Sequence, residues 1–190
     1  MPRRSICRCS GRTGKRETRN AKRAPGEGLT FFVRRLTYHV TYKIPRSVLV
    51  VIHTPDLKVL LLERAPWPGY WQSLTGSLDR EDEPLRAAAV REVGEETGID
   101  AEGYSLADWG VENTFEIFSQ WRPRYAPGVT QNVEHVFGLR VPAPQPVRLA
   151  PEEHSSYLWL PWREAADKCF SWSNRDAILM LPQRARIAAA

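Results

Sequence analysis

Cysteine is scarce in this chain and long apolar runs are missing, and each lack excludes a class of protein. The three cysteines, two of them in Cys7-Arg8-Cys9, make neither an even disulfide framework nor a zinc-ligand spacing, so a reducing, cytoplasmic setting is expected. No stretch approaches the roughly 18 apolar residues of a membrane span, and the N-terminus has no apolar core of a secretion signal. A membrane role is therefore not expected. Acidic residues are nearly lacking at one end: residues 1–46 carry 13 Lys/Arg against two Glu, a net +11, which out of a whole-chain +5 leaves −6 for the rest. The basic balance thus belongs to the leading segment. An acidic body suits a metal-dependent enzyme better than a nucleic-acid binder.

Apolar residues are few before Leu29-Thr30-Phe31-Phe32-Val33, and residues 1–40 are rich in Arg, Lys, Gly and Ser. Such a composition cannot bury enough surface to offset the entropy of folding. The chain accordingly divides into a basic, disordered tail over 1–40 and a folded domain over 41–185. A transit peptide or a nucleic-acid-binding arm are the lesser readings of the tail.

From Ser47 the character changes. SVLVVIH and KVLLLER, separated by the turn signal Thr54-Pro55-Asp56-Leu57, read as two buried strands, and Trp71 to Leu74 as a short third. Further strands are expected near Asn113–Phe118, Val133–Val141, Val147 and Tyr157–Leu160, with a Pro/Gly-rich loop over Arg122–Gln131. Helical segments are expected over Trp162–Lys168 and Ser173–Leu181. Between the early and late strands, Leu85, Ala88, Ala89 and Val93 recur at three- and four-residue spacings. They predict an amphipathic helix that opens near Glu83-Pro84 and stops at Gly98.

The end of that helix is Arg91-Glu92-Val93-Gly94-Glu95-Glu96-Thr97-Gly98-Ile99. Glu92 and Glu96 stand four apart with Glu95 beside them, so three carboxylates are expected to share one face. Like charges at this spacing repel, and acids in a last turn oppose the macrodipole, each at about 0.3–1 kcal/mol. A bound cation reverses both signs, whereas a solvated acidic face is the plain alternative. Oxygen ligands without Cys or His suit Mg²⁺, with Mn²⁺ possible by the same chemistry, and these ions work in phosphate chemistry.

The segment resembles the box of the Nudix hydrolases: Gly, five residues, Glu, seven residues, Arg-Glu, an aliphatic, one residue, Glu-Glu, one residue, Gly, aliphatic. Glu83 falls in register, but Gly76 lies one position early and Ser77 stands in its place, a one-residue insertion within Leu78–Asp82. Tyr42-Lys43, Trp71–Ser77, Phe115–Phe118, Arg124–Thr130 and Ser171–Arg175 resemble the bacterial dihydroneopterin triphosphate pyrophosphatases of folate synthesis within that family. The resemblance implies an α/β/α sandwich with a mixed β-sheet between helices, and metal-assisted attack of water on a phosphoanhydride of a small-molecule triphosphate. It carries Glu92 and Glu96 over as principal metal ligands, Glu95 as a ligand or as the partner of Arg91, and Glu153 as an added carboxylate that ligates or acts as base. Glu134 stands second to Glu153 and His154 is a secondary base candidate. Lys43 and Arg64 are expected on the triphosphate, Thr75, Ser171 and Ser173 as hydroxyl donors, and Trp71 and Trp172 in packing. For Phe115-Glu116-Ile117-Phe118, strand alternation puts Glu116 and Phe118 on one face, where the carboxylate would accept from a pterin's amino group and ring N–H. A nucleoside triphosphate pyrophosphatase and a non-catalytic binding module remain as alternatives, and oligomeric state is left open.

Overall fold

The centre of the first strand, Val48-Leu49-Val50-Val51-Ile52, has no polar face because both of its faces are covered. In the computed structural model, which describes residues 41–187, this strand is β1 (Arg46–His53). The tail expected over residues 1–40 lies outside the described residues. Alternation sorts β1 into two layers: Val48, Val50 and Ile52 join Leu62, Ala88, Val93 and Phe137, while Leu49 and Val51 join Leu61, Val136, Ala165 and Ile178. Full burial of each Val, Leu, Ile or Phe among them stabilises by about 1.5–3 kcal/mol. Truncating Leu49, which has no exposed surface, would cost about 2–5 kcal/mol.

Six more strands complete a mixed sheet: β2 (Lys58–Arg64), β3 (Trp71–Gln72), β4 (Leu74–Ser77), β5 (Ser105–Glu116), β6 (Gln131–Arg140) and β7 (His154–Pro161). β6 runs parallel to β1, with Ser47 opposite Glu134 and Leu49 opposite Val136, and β5 pairs antiparallel on its other side. On the opposite edge β1 meets β2 only where His53 faces Val59. There the two strands diverge, β4 takes over beside β1, and β2 turns to β3 and β7. Helix α1 (Leu85–Thr97) covers one face, and α2 (Trp162–Lys168) with α3 (Trp172–Ile187) the other, giving the expected α/β/α sandwich.

The ends of α1 follow from its terminal residues. Pro84 sits at the N-cap, where its missing N–H costs no helix bond, and Gly98 closes the helix at φ 70° with its N–H on the Gly94 carbonyl at 3.0 Å. Elsewhere the chain departs from expectation. β5 begins at Ser105 rather than near Asn113, because a register shift between Asp108 and Glu112, around Gly110 at φ 62°, breaks the alternation that marks a strand. The strand expected near Val147 is irregular chain, whose Arg148 N–H goes to the Thr97 carbonyl at the end of α1. Trp71–Leu74 is two strands, parted at Ser73 because its N–H donates to Asn174 Oδ1 on α3 at 2.8 Å. Helix α3 passes through Pro182 and continues to Ile187, beyond the expected Leu181.

Candidate active site

The four-residue spacing on α1 puts Glu92 and Glu96 together on its buried face, 9% and 3% exposed, but turns Glu95 outward. The expectation of three carboxylates on one face is therefore corrected to two. Burial first, and then the charge of Glu96, push Glu92 up to about 7. Glu96 is likewise raised by burial, against a 2.8 Å hydrogen bond between its Oε2 and His154 Nε2. His154 is itself buried, so it holds Glu96 in place rather than standing free as a base. The close approach of Glu92 to the sheet depends on Gly76. A Cβ at that position would lie 1.9 Å from Glu92 Cδ.

Arg91 ties this helix face to the loop before it. Its Nε donates to Glu83 Oε1 at 3.0 Å, Nη1 to Glu92 at 3.0 Å and Glu95 at 3.2 Å, and Nη2 to the Ser77 carbonyl at 3.0 Å and Glu83 Oε2 at 3.2 Å. Its guanidinium has five N–H donors, and these five bonds occupy them. Glu83 also accepts from the Asp79 N–H at 2.7 Å, and its pKa is lowered chiefly by the Arg91 bond. The inserted residue in Leu78–Asp82 is thus absorbed in a loop whose two ends remain bonded to Arg91. Among the described residues no three His, Cys, Asp or Glu side chains form a ready metal cluster. Two buried carboxylates that repel each other, with oxygen donors only, still suit a hard dication that completes its shell with water and phosphate oxygens.

On the α3 side of the sheet a cavity of about 520 Å³ opens, within the size range of small-molecule sites. One end is cationic: Lys43, Arg64 and Arg124 line it, with Glu153 exposed at the mouth. Lys43 and Arg64 both have lowered pKa values, first through burial and then through Arg124, partly offset by Glu153 with Glu92 or Glu96. Arg64 lies against a pair of indoles, its guanidinium 5.3 Å from the Trp67 ring centre and 5.2 Å from that of Trp121, and donates only a long 3.4 Å bond to Gln72. The other end is polar and deep, with Asn132, Glu134, Ser173 and Asn174 buried beneath Phe115 and Ser171. Ser171 caps α3, accepting from the Asn174 N–H and Nδ2–H at 3.4 and 2.9 Å.

The Nudix domain model matches residues 43–181. The chain belongs to the Nudix family. The dihydroneopterin triphosphate diphosphatase of Escherichia coli K12 is 49% identical over 140 residues, which cover 72% of this chain and 91% of that protein. The Haemophilus influenzae protein of the same name is 37% identical, over 72% of this chain and 87% of its own. Among solved structures, the E. coli dihydroneopterin triphosphate pyrophosphohydrolase superposes with a TM-score of 0.68 at 48% identity, covering 72% of this chain and 94% of that one. This chain is a Nudix hydrolase, and Nudix hydrolases depend on divalent metal ions. No described helix is long and apolar enough to cross a membrane.

Against this Nudix frame, Lys43, Arg64, Thr75, Ser171, Ser173, Glu153 and the Phe115–Phe118 stretch all reach the cavity wall. Thr75 accepts from Gln72 Nε2 at 3.0 Å. Glu116 is an exception in kind: it is exposed at the rim and its carboxylate is taken by Arg122. Phe118 leaves the strand and packs edge-on to Trp121 at 5.1 Å, so it shares no clamp with Glu116. Glu134 lies in the deep end, and no neighbouring charge perturbs it, so it is not a partner of the α1 carboxylates. Trp172 is 52% exposed, whereas Trp71 is core. Sequence reasoning passed over Gly76 as a packing position, Asn132, Trp67, Trp121 and Arg124. Only Arg124 carried a usable signal, a cation in a Gly/Pro-rich loop.

Proposed function

We propose that this chain hydrolyses dihydroneopterin triphosphate to dihydroneopterin monophosphate and pyrophosphate, as a cytoplasmic step of folate biosynthesis, with Mg²⁺ and with Mn²⁺ as substitute. The observation that carries the reading is the cavity, whose Lys43 and Arg64 feel the charges of Glu92 and Glu96 on α1 and whose lining also includes the buried polar side chains of Asn132 and Glu134. The relatives' names support it.

Glu92 and Glu96 are the side chains to hold the ion. When bound, it polarises phosphoryl oxygens and lowers the pKa of a water. Arg91 keeps Glu92 in position, with Glu95 as its outer partner. Lys43 and Arg64 meet the triphosphate. Each is partly desolvated and repelled by Arg124, so phosphate charge relieves a cost that the free protein carries. Glu153 at the mouth is the group to take the proton of the attacking water or to add a ligand. Water's oxygen forms the new P–O bond as the bridging P–O bond of the anhydride breaks. Thr75, Ser171 and Ser173 supply hydroxyl bonds to the ligand, and the catalytic unit is the domain over 41–185. The test is pyrophosphate release from dihydroneopterin triphosphate beside a panel of nucleoside triphosphates with Mg²⁺. A kcat/KM for the pterin at least tenfold above every nucleotide is expected, and a nucleotide preferred over it would overturn the reading.

A further inference from the structure

Two buried side chains that line the cavity, Asn132 and Glu134, each keep one acceptor oxygen without a partner, although Ser173 and Asn113 reach the Glu134 carboxylate. Glu134 is 3% exposed and its Oε1 has no partner. Asn132 is 2% exposed. Its Nδ2–H donates to Ser47 Oγ at 2.7 Å, and its buried Oδ1 has no partner. The two residues are two apart on β6, so their side chains share a sheet face. The antiparallel register sets Phe115 opposite Asn132 and Asn113 opposite Glu134, so the aromatic ring belongs to the same face. Buried polar atoms are nearly always bonded, and two acceptors left over just behind a cavity wall suit donors from a ligand that seats against it.

We propose that Glu134, with Asn132 beside it, reads the head group of the substrate, the carboxylate accepting from the adjacent amino and ring N–H of a 2-amino-4-oxopyrimidine edge. Pterins and guanine both carry that edge. The ring then lies along Phe115, and its side chain leads toward Lys43 and Arg64 at the cationic end. Burial pushes Glu134 up to about 7, while hydrogen bonds from the Ser173 and Asn113 side chains favour its charged form, and further N–H donors from a ligand would extend that tendency. A metal cation is a poor occupant, since the floor offers a single carboxylate. Glu116 stands exposed at the rim in an ion pair with Arg122, whereas Glu134 is buried beside the cavity.

The inference rests on the proposed reaction only for the choice of ring, and the assay separates the two. kcat/KM is measured for dihydroneopterin triphosphate, GTP and ITP, which lacks the amino group, on the full chain and on Glu134→Gln with saturating Mg²⁺. Gln keeps the shape but points a donor at a donor. The wild type should favour GTP over ITP by on the order of a hundredfold, since a site built to bond an N–H rejects the analogue without it. In Glu134→Gln that ratio should fall to within about threefold, and KM for dihydroneopterin triphosphate should rise at least about tenfold with a smaller change in kcat. An unchanged ratio and KM in the variant overturns the proposal, as does a wild type indifferent to the amino group. Should the variant not fold, inhibition of the wild type by dihydroneopterin and by its 2-deamino analogue reads the same contact, and equal inhibition overturns it. A wild type inactive on dihydroneopterin triphosphate would sink the proposed function, while the GTP-to-ITP ratio would still decide the role of Glu134.

Discussion

Two arginines near the α1 carboxylates are treated in opposite ways. Arg91, on α1, spends all five donors on the protein itself, on Glu83, Glu92, Glu95 and the Ser77 carbonyl. Arg64, at the cavity mouth, has a buried Nε without a partner, one long bond to Gln72, and two indoles against it. The first arrangement is complete without a ligand and so fixes geometry. The second is complete only when an anion arrives, because stacking orients a guanidinium without neutralising it.

The largest expected effect falls where the complete side meets the chemistry. Glu96→Gln removes a ligand charge while keeping shape, and kcat should drop at least a hundredfold, about 2.7 kcal/mol of activation energy. Near-normal turnover at saturating Mg²⁺ would contradict the ligand assignment. Gly76→Ala should come close behind, with a loss of roughly thirtyfold or more, since its new Cβ occupies the space of the Glu92 carboxyl. A crystal structure of that variant with Glu92 unmoved would refute this account.

The arginines themselves sharpen the contrast. Lysine cannot reproduce a five-bond fork, so Arg91→Lys should lower unfolding free energy by about 2 kcal/mol in denaturant titration. Arg64→Lys should leave stability within about 1 kcal/mol and instead raise KM about tenfold. Equal stability losses in the two variants would erase the distinction.

The smallest effect is in pH. Burial pushes Glu92 and Glu134 up to about 7 in the folded protein against 4.5 for an ordinary glutamate, so between these values the native state binds more protons than the unfolded chain. Metal-free stability is then fullest below pH 4.5 as far as these groups decide it, and is lost as pH rises through about 7. Melting curves without metal should shift down by a few degrees over that window. Saturating Mg²⁺ should shrink the shift by stabilising ionised Glu92, leaving the part that belongs to Glu134.

The sequence made α1 readable to the residue because Pro84, Gly98 and the small apolar positions all point to the same helix. β2 was equally plain, its bounds set by the turn before it. Glu92 and Glu96 were legible because a repelling pair in a last turn is anomalous without a cation. The pocket floor was not. Asn132 and Glu134 occupy core positions of a strand whose alternation assigns polar residues to solvent, and only the end of the parallel pair with β1 shows that they line a cavity. Gly76 was read as part of a motif, although its value is the space it leaves for a carboxylate on another element. The ion pair of Glu116 with Arg122, six residues on, was not legible either, since it depends on how the loop folds back.

The parallel pairing of β1 with β6 has a kinetic consequence. Ser47 and Asn132, bonded across it, are 85 residues apart in the chain, and α1 with its carboxylates lies inside the loop that this pairing closes. Closing a long loop must precede the contacts that reward it, so this step belongs late in folding. The metal-binding helix can form locally, but the head-group floor exists only once the loop is shut. During refolding, helical signal should therefore return before ligand-binding competence, and the delay between them times the docking of β6.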